Sequence, residues 1–150
     1  WRPEHVAGTS FREIHGPVPG FPGRAGDDAE VRAAAARSMM DAMIKRGPYV
    51  RFVWTVCADD ALDHHPDSGL RAPKTTITHF RVERQLTWPF PEVSASLFVI
   101  RTFVYPIAEL GAERVRTLAE ALANMPPEIR RYKGLDDDAI AKFVSEFSGL

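Results

Sequence analysis

Two long runs of alternating side chains, joined by Pro89-Phe90-Pro91-Glu92, constrain this chain more than any other feature. In residues 75–88, Thr78, Phe80, Val82, Leu86 and Trp88 share one parity, and Ile77, His79, Arg81, Glu83, Gln85 and Thr87 share the other. Extended backbone turns successive side chains to opposite faces, so a period of two marks a strand. The second parity is largely polar and reads as a solvated or half-covered face. Arg84 interrupts the apolar parity and predicts a bulge, a bend or a rim position. Residues 93–105 carry Leu97, Val99 and Phe103 on one face and Phe98, Ile100 and Val104 on the other. Apolar residues on both faces predict a central strand covered from two sides. Two prolines in four residues force a turn, and so short a link joins antiparallel neighbours.

The rest of the chain arranges itself around that pair. Residues 49–57 alternate as a further strand, with Val50, Phe52, Trp54 and Val56 predicted to face the core. Before it, Asp27 and Glu30 have capping-box spacing, and Val31, Ala35, Met39, Ala42 and Met43 form a helical stripe. Gly47 and Pro48 should end that helix near Arg46. After the strands, Val115, Leu118, Ala119 and Leu122 mark a helix over residues 112–124, which Pro126-Pro127 ends. Residues 128–133 read as a short turn before Gly134. Asp136 can cap a last helix striped by Ile140, Phe143, Val144 and Phe147, with Asp137 and Asp138 at the positive end of its dipole. The expected fold is α+β. An antiparallel sheet of at least three long strands has one helix before it and two after it, packed mainly on one face, with an extended N-terminal arm. The arm spans residues 1–26 and a single domain spans residues 27–150.

The arm is read from composition. Residues 16–26 hold seven Gly or Pro, which suits neither a helix nor a central strand. Trp1, Val6, Phe11, Ile14, Val18 and Phe21 are spaced apolar anchors along it. Such a segment packs on its own domain or docks on a partner, with Trp1, Phe11 and Phe21 as the candidate partner-binding residues. The chain opens on Trp1 and not Met, which reads as a processed product or a fragment of something longer.

A formal net charge of -1 gives no general attraction to nucleic acid or anionic membrane. One local basic patch, Arg130, Arg131 and Lys133 around Tyr132, has the composition of an RNA or phosphate contact. At this net charge a solvated turn between helices is the preferred reading, and nucleic acid is not an expected partner. No apolar run approaches the length of a membrane span. Cys57 is the single cysteine, so no internal disulfide forms, and a reducing compartment or organelle matrix is favoured. No phosphate-binding glycine loop and no Gly-x-Ser-x-Gly elbow is present, and no cofactor motif is found.

Chemistry, if any, should sit in the loop between residues 57 and 74. It holds Asp59, Asp60, Asp63 and Asp67, and two of the five histidines, His64 and His65. Histidine titrates near neutral pH and suits acid–base work. A hairpin can bring His79 back beside the pair. Asp63-His64-His65-Pro66 with the later Thr78-His79 resembles the active-site pattern of pterin carbinolamine dehydratases. That resemblance implies a metal-independent loss of water from a hydroxylated pterin. His64, His65 and His79 would be the catalytic residues, and Asp63, Pro66 and Thr78 would lie on the substrate. In that family the pair follows a helix, whereas residues 49–57 here read as a strand. A metal site in the same loop is a further alternative, although the usual spacing of two histidines four apart is missing. With no complete catalytic motif, the leading expectation is a non-catalytic interaction domain, an accessory subunit bound to other protein subunits.

Overall fold

The computed structural model describes residues 29–62 and 75–147. Along the chain they form α1 (Ala29–Lys45), β1 (Tyr49–Cys57), β2 (His79–Phe90) and β3 (Ala95–Pro106). Then follow α2 (Ala112–Ala123), α3 (Pro127–Lys133) and α4 (Asp137–Phe147). The three strands make one antiparallel sheet in the order β1-β2-β3, so the α+β fold expected from the alternating runs is the fold observed. The predicted arm, with Trp1, Phe11 and Phe21, lies outside the described residues.

β1 has the limits that its alternation gives, and no bulge at Arg84 is needed to keep β2 a single strand through Phe90. The sheet order corrects one expectation. Among the described residues β2 is the central strand and β3 lies at an edge. Apolar residues on both faces of β3 do not make it central, because Leu97, Val99 and Ile100 are exposed. A second correction concerns α3, which is a helix and not a bare turn. Pro127 occupies its first turn, where the missing N–H costs nothing. Gly134 closes it at φ 63°, with its N–H on the Arg131 carbonyl and that of Leu135 on the Arg130 carbonyl. That left-handed position is where glycine is favoured.

The described residues fall into two compact parts. The first holds α1, Tyr49–Phe52 of β1 and Arg84–Arg101. There Gly47, at φ 114°, follows α1, and a Cβ on it would sit 3.2 Å from Tyr49. Between β2 and β3 a 3₁₀ turn, Pro91–Val93, ends on Ser94 in the left-handed region at φ 51°. The Arg51 Nε donates to the Gln85 side-chain carbonyl at 2.6 Å. Gln85 and Thr87 are buried, more than the solvated or half-covered face expected of their parity, while Ile77, His79, Arg81 and Glu83 are half-covered. On β1, Val50 and Phe52 are exposed, so only Trp54 and Val56 of the predicted inward set are covered.

The second part, Val53–Glu83 with Thr102–Leu150, contains the apolar core. Val115, Leu118, Ala119 and Leu122 of α2 are buried, as are Ile140 and Phe143 of α4. α2 and α4 pack on each other, and Val56, Ile107, Met125 and Leu135 join the same cluster. The helical stripes are thus the core-facing stripes. Asp136 caps α4, accepting the Ala139 N–H at 2.9 Å.

Candidate functional site

The mouth of the loop after β1 is closely built. The Thr78 N–H donates to the Cys57 carbonyl at 3.1 Å, which closes the two ends on each other. Asp59 accepts the Ala61 N–H at 2.9 Å, a local turn of the kind Asp favours. The Arg81 guanidinium then donates to the carbonyls of Ala61 and Leu62, at 3.0 and 3.1 Å. β2 thereby grips the first residues of the loop with a forked cation. Cys57 is buried, and its thiol points to the Asp59 carbonyl at 3.2 Å. That is the setting of a structural cysteine.

Asp63, His64, His65 and Pro66 lie outside the described residues, while Thr78 and His79 are described. His79 opens β2 and is half-buried. Its Nδ1 shares a 2.8 Å hydrogen bond with the Thr78 hydroxyl. If that hydroxyl donates, Nε2 carries the ring proton; if it accepts, Nε2 offers its lone pair. In both tautomers Nε2 is the nitrogen left for chemistry. Among the described residues no group of three His, Cys, Asp or Glu stands close enough to hold a metal ion.

The basic patch is partly tied into the fold. The Arg130 Nε donates to the Met125 carbonyl at 2.9 Å, and another guanidinium nitrogen reaches the Ala123 carbonyl at 2.9 Å. A third contact pairs it with Asp137 at 3.1 Å. Arg130 therefore satisfies carbonyls at the C-terminal end of α2, where a cation is favourable. The Lys133 Nζ donates to the Trp54 carbonyl at 2.6 Å and lies 5.8 Å from that ring's centroid. Burial lowers the Lys133 pKa, and the Glu83 carboxylate opposes part of that shift. Burial also raises the Tyr132 pKa, with Glu83 adding to it. Two of the three basic residues thus serve the fold.

Sequence reasoning missed a cleft of about 450 Å³ beside α2. Trp54 and Phe80, 6.0 Å apart with rings tilted by 42°, line it. Leu118 and Ala121 line it as well, and Glu113, Arg114 and Thr117 stand on the same helix. The recurrence of lining residues three and four apart on α2 was available in the sequence. Their sharing a cleft with two aromatic rings was not.

Residues 1–139 match the model of a protein family described as haem-dependent oxidative N-demethylase, alpha subunit-like. The chain belongs to this family. The match includes the whole His-His-Pro loop, so the short stretch resembling pterin carbinolamine dehydratases lies inside it. The haem in the family's name can be tested against the donors present. Haem iron takes an axial His, Cys, Met or Tyr. None of these types lines the cleft. Cys57 is buried and turned to a backbone carbonyl. His79 is the one imidazole among the described residues, and it is not part of the cleft lining. The lining of this cleft therefore offers no axial ligand to a haem. Among the described residues no helix is long and apolar enough to cross a membrane.

Proposed function

We propose that this chain works as a subunit-type domain of a larger assembly, an oxidative N-demethylase of the kind its family is named for. Its contribution there is protein–protein contact. The observation that carries this reading is the exposure of large apolar side chains on the first part of the sheet. Phe52 is 65% exposed, Val93 67% and Leu97 51%, and Val50, Trp88, Val99 and Ile100 are exposed with them. Scattered exposed apolar residues are ordinary, but a concentration of them on two strand ends and the turn between marks an interaction surface. Trp1, Phe11 and Phe21 are proposed as further anchors of the same contact. Other protein subunits are the partners this predicts. Light scattering on the intact protein tests it. A mass above one chain, lowered by Phe52→Asp and Leu97→Asp together, is the expected result. A wild-type monomer that also fails to associate with its co-expressed neighbours would overturn it.

A second reading keeps His79 with His64 and His65 as acid–base groups. It is favoured by the Thr78 hydroxyl that fixes the ring of His79, and by the Arg81 grip that holds the start of the loop to β2. A fixed imidazole is what general acid–base work needs. Turnover of a hydroxylated pterin, lost in His79→Gln, would support it. No turnover by the wild type would end it.

A further inference from the structure

The cleft beside α2 has a feature that its volume alone does not convey. Glu113 and Arg114 stand next to each other on the first turn of the helix, at the edge of an apolar pocket. Both are exposed, and neither has an ion-pair partner among the described residues. The other arginines with described roles nearby are engaged, Arg81 on two carbonyls and Arg130 on carbonyls and Asp137. Thr117 is also engaged, since its hydroxyl donates to the Glu113 carbonyl at 3.0 Å. Two opposite charges are therefore the polar equipment of the cleft.

That pair discriminates between ligand classes. An anion placed at this edge gains from Arg114 and loses to Glu113, and a cation does the reverse. A head bearing both charges gains from both. The body of such a ligand would lie against the aromatic and aliphatic lining that Trp54, Phe80, Leu118 and Ala121 supply. A space of about 450 Å³ falls in the range of roughly 300 to 1,000 Å³ typical of small-molecule sites. We propose that this cleft binds a small zwitterion with an apolar body, of the size and charge pattern of an aromatic or branched amino acid. The assignment goes beyond the assembly reading, which stands or falls separately on the mass of the complex.

Intact protein labelled with 5-fluorotryptophan provides the test, the Trp54 signal being assigned with Trp54→Phe. Three probes share one ring and differ in the head: L-phenylalanine, phenylacetate and 2-phenylethylamine. L-Phenylalanine should move the Trp54 fluorine resonance saturably, and bind roughly two- to fivefold tighter than either singly charged probe, as expected for solvent-exposed ion pairs. Glu113→Gln should reduce L-phenylalanine to the level of phenylacetate, and Arg114→Gln to that of 2-phenylethylamine. Both positions are exposed, so these variants leave the core intact. Ala121→Trp, which fills the cleft, should abolish the response to all three. The proposal is overturned if L-phenylalanine leaves the Trp54 signal unmoved up to its solubility. It is equally overturned if a singly charged probe binds as tightly as the zwitterion.

Discussion

The two compact parts of the chain use the same three strands in opposite ways. Among the described residues of Val53–Glu83 with Thr102–Leu150, the buried side chains include Val56, Cys57, Ile107, Met125 and Leu135, the α2 stripe, and Ile140 and Phe143 of α4, all apolar. In the part holding Tyr49–Phe52 and Arg84–Arg101, the buried residues are the polar Gln85 and Thr87, while Phe52, Trp88, Val93 and Leu97 are exposed. Burial of apolar area is the main favourable term in folding. Among the described residues, the part holding Tyr49–Phe52 and Arg84–Arg101 therefore leaves unused a driving force that the part with the apolar core exploits. Alternation alone, which is equally clear at both ends of the strands, gives no hint of that contrast.

The contrast predicts a large asymmetry in mutational cost. Leu122 is 0% exposed, and Leu122→Ala should destabilise the fold by about 3 kcal/mol or more, through lost transfer energy and a residual cavity. Leu97→Ala should cost less than about 1 kcal/mol, because an exposed side chain has little burial to lose. Urea titration of the two variants measures both. Equal costs would erase the distinction drawn here.

Next in size comes Arg130. Arg130→Ala leaves carbonyls at the end of α2 without their charged donor, and should cost about 2 kcal/mol. Arg130→Lys should recover less than half of that, since an ammonium cannot reproduce the fork. The same urea titration reports it. Full recovery by lysine would show that charge near the helix end matters and geometry does not.

Lys133 gives a prediction of sign. Its folded pKa is lowered by burial, so between that value and the ordinary lysine value of 10.5 the unfolded chain binds more protons. Stability should therefore rise with pH across this window, and the rise should vanish in Lys133→Met. Tyr132 works in the other direction. Its pKa is raised above 10.0, so the folded state keeps a proton that the unfolded state releases, and stability falls as pH climbs past that value. Thermal melts of Lys133→Met and Tyr132→Phe over the alkaline range separate the two.

The smallest expected effect is at Ser94, between β2 and β3. At φ 51° a serine is strained where a glycine is not, so Ser94→Gly should stabilise by about 0.5 kcal/mol after the added chain entropy is counted. A slightly higher melting temperature is the expected reading. A lower one would mean that the Ser94 side chain contributes more than its backbone costs.

Local rules determined a good deal of this protein from sequence. The period of two marked all three strands and gave β1 its observed ends. The α2 stripe named residues that are all buried, two of the four on the α4 stripe are buried and the other two half-buried, and Asp136 was legible as a cap. These features depend on neighbours within a few positions, so the sequence carries them directly. The Asp63–Pro66 portion of the proposed acid–base site lies outside the described residues, and of that site only the Thr78–His79 pair has a described geometry. Tertiary structure alone decided that β2 and not β3 is central, that Gln85 and Thr87 are buried, and that Arg130 and Lys133 bind backbone carbonyls. It alone brought two aromatic rings into the cleft that Glu113 and Arg114 also line. Each of these outcomes depends on which distant segment lies opposite a side chain, and periodicity does not contain that information.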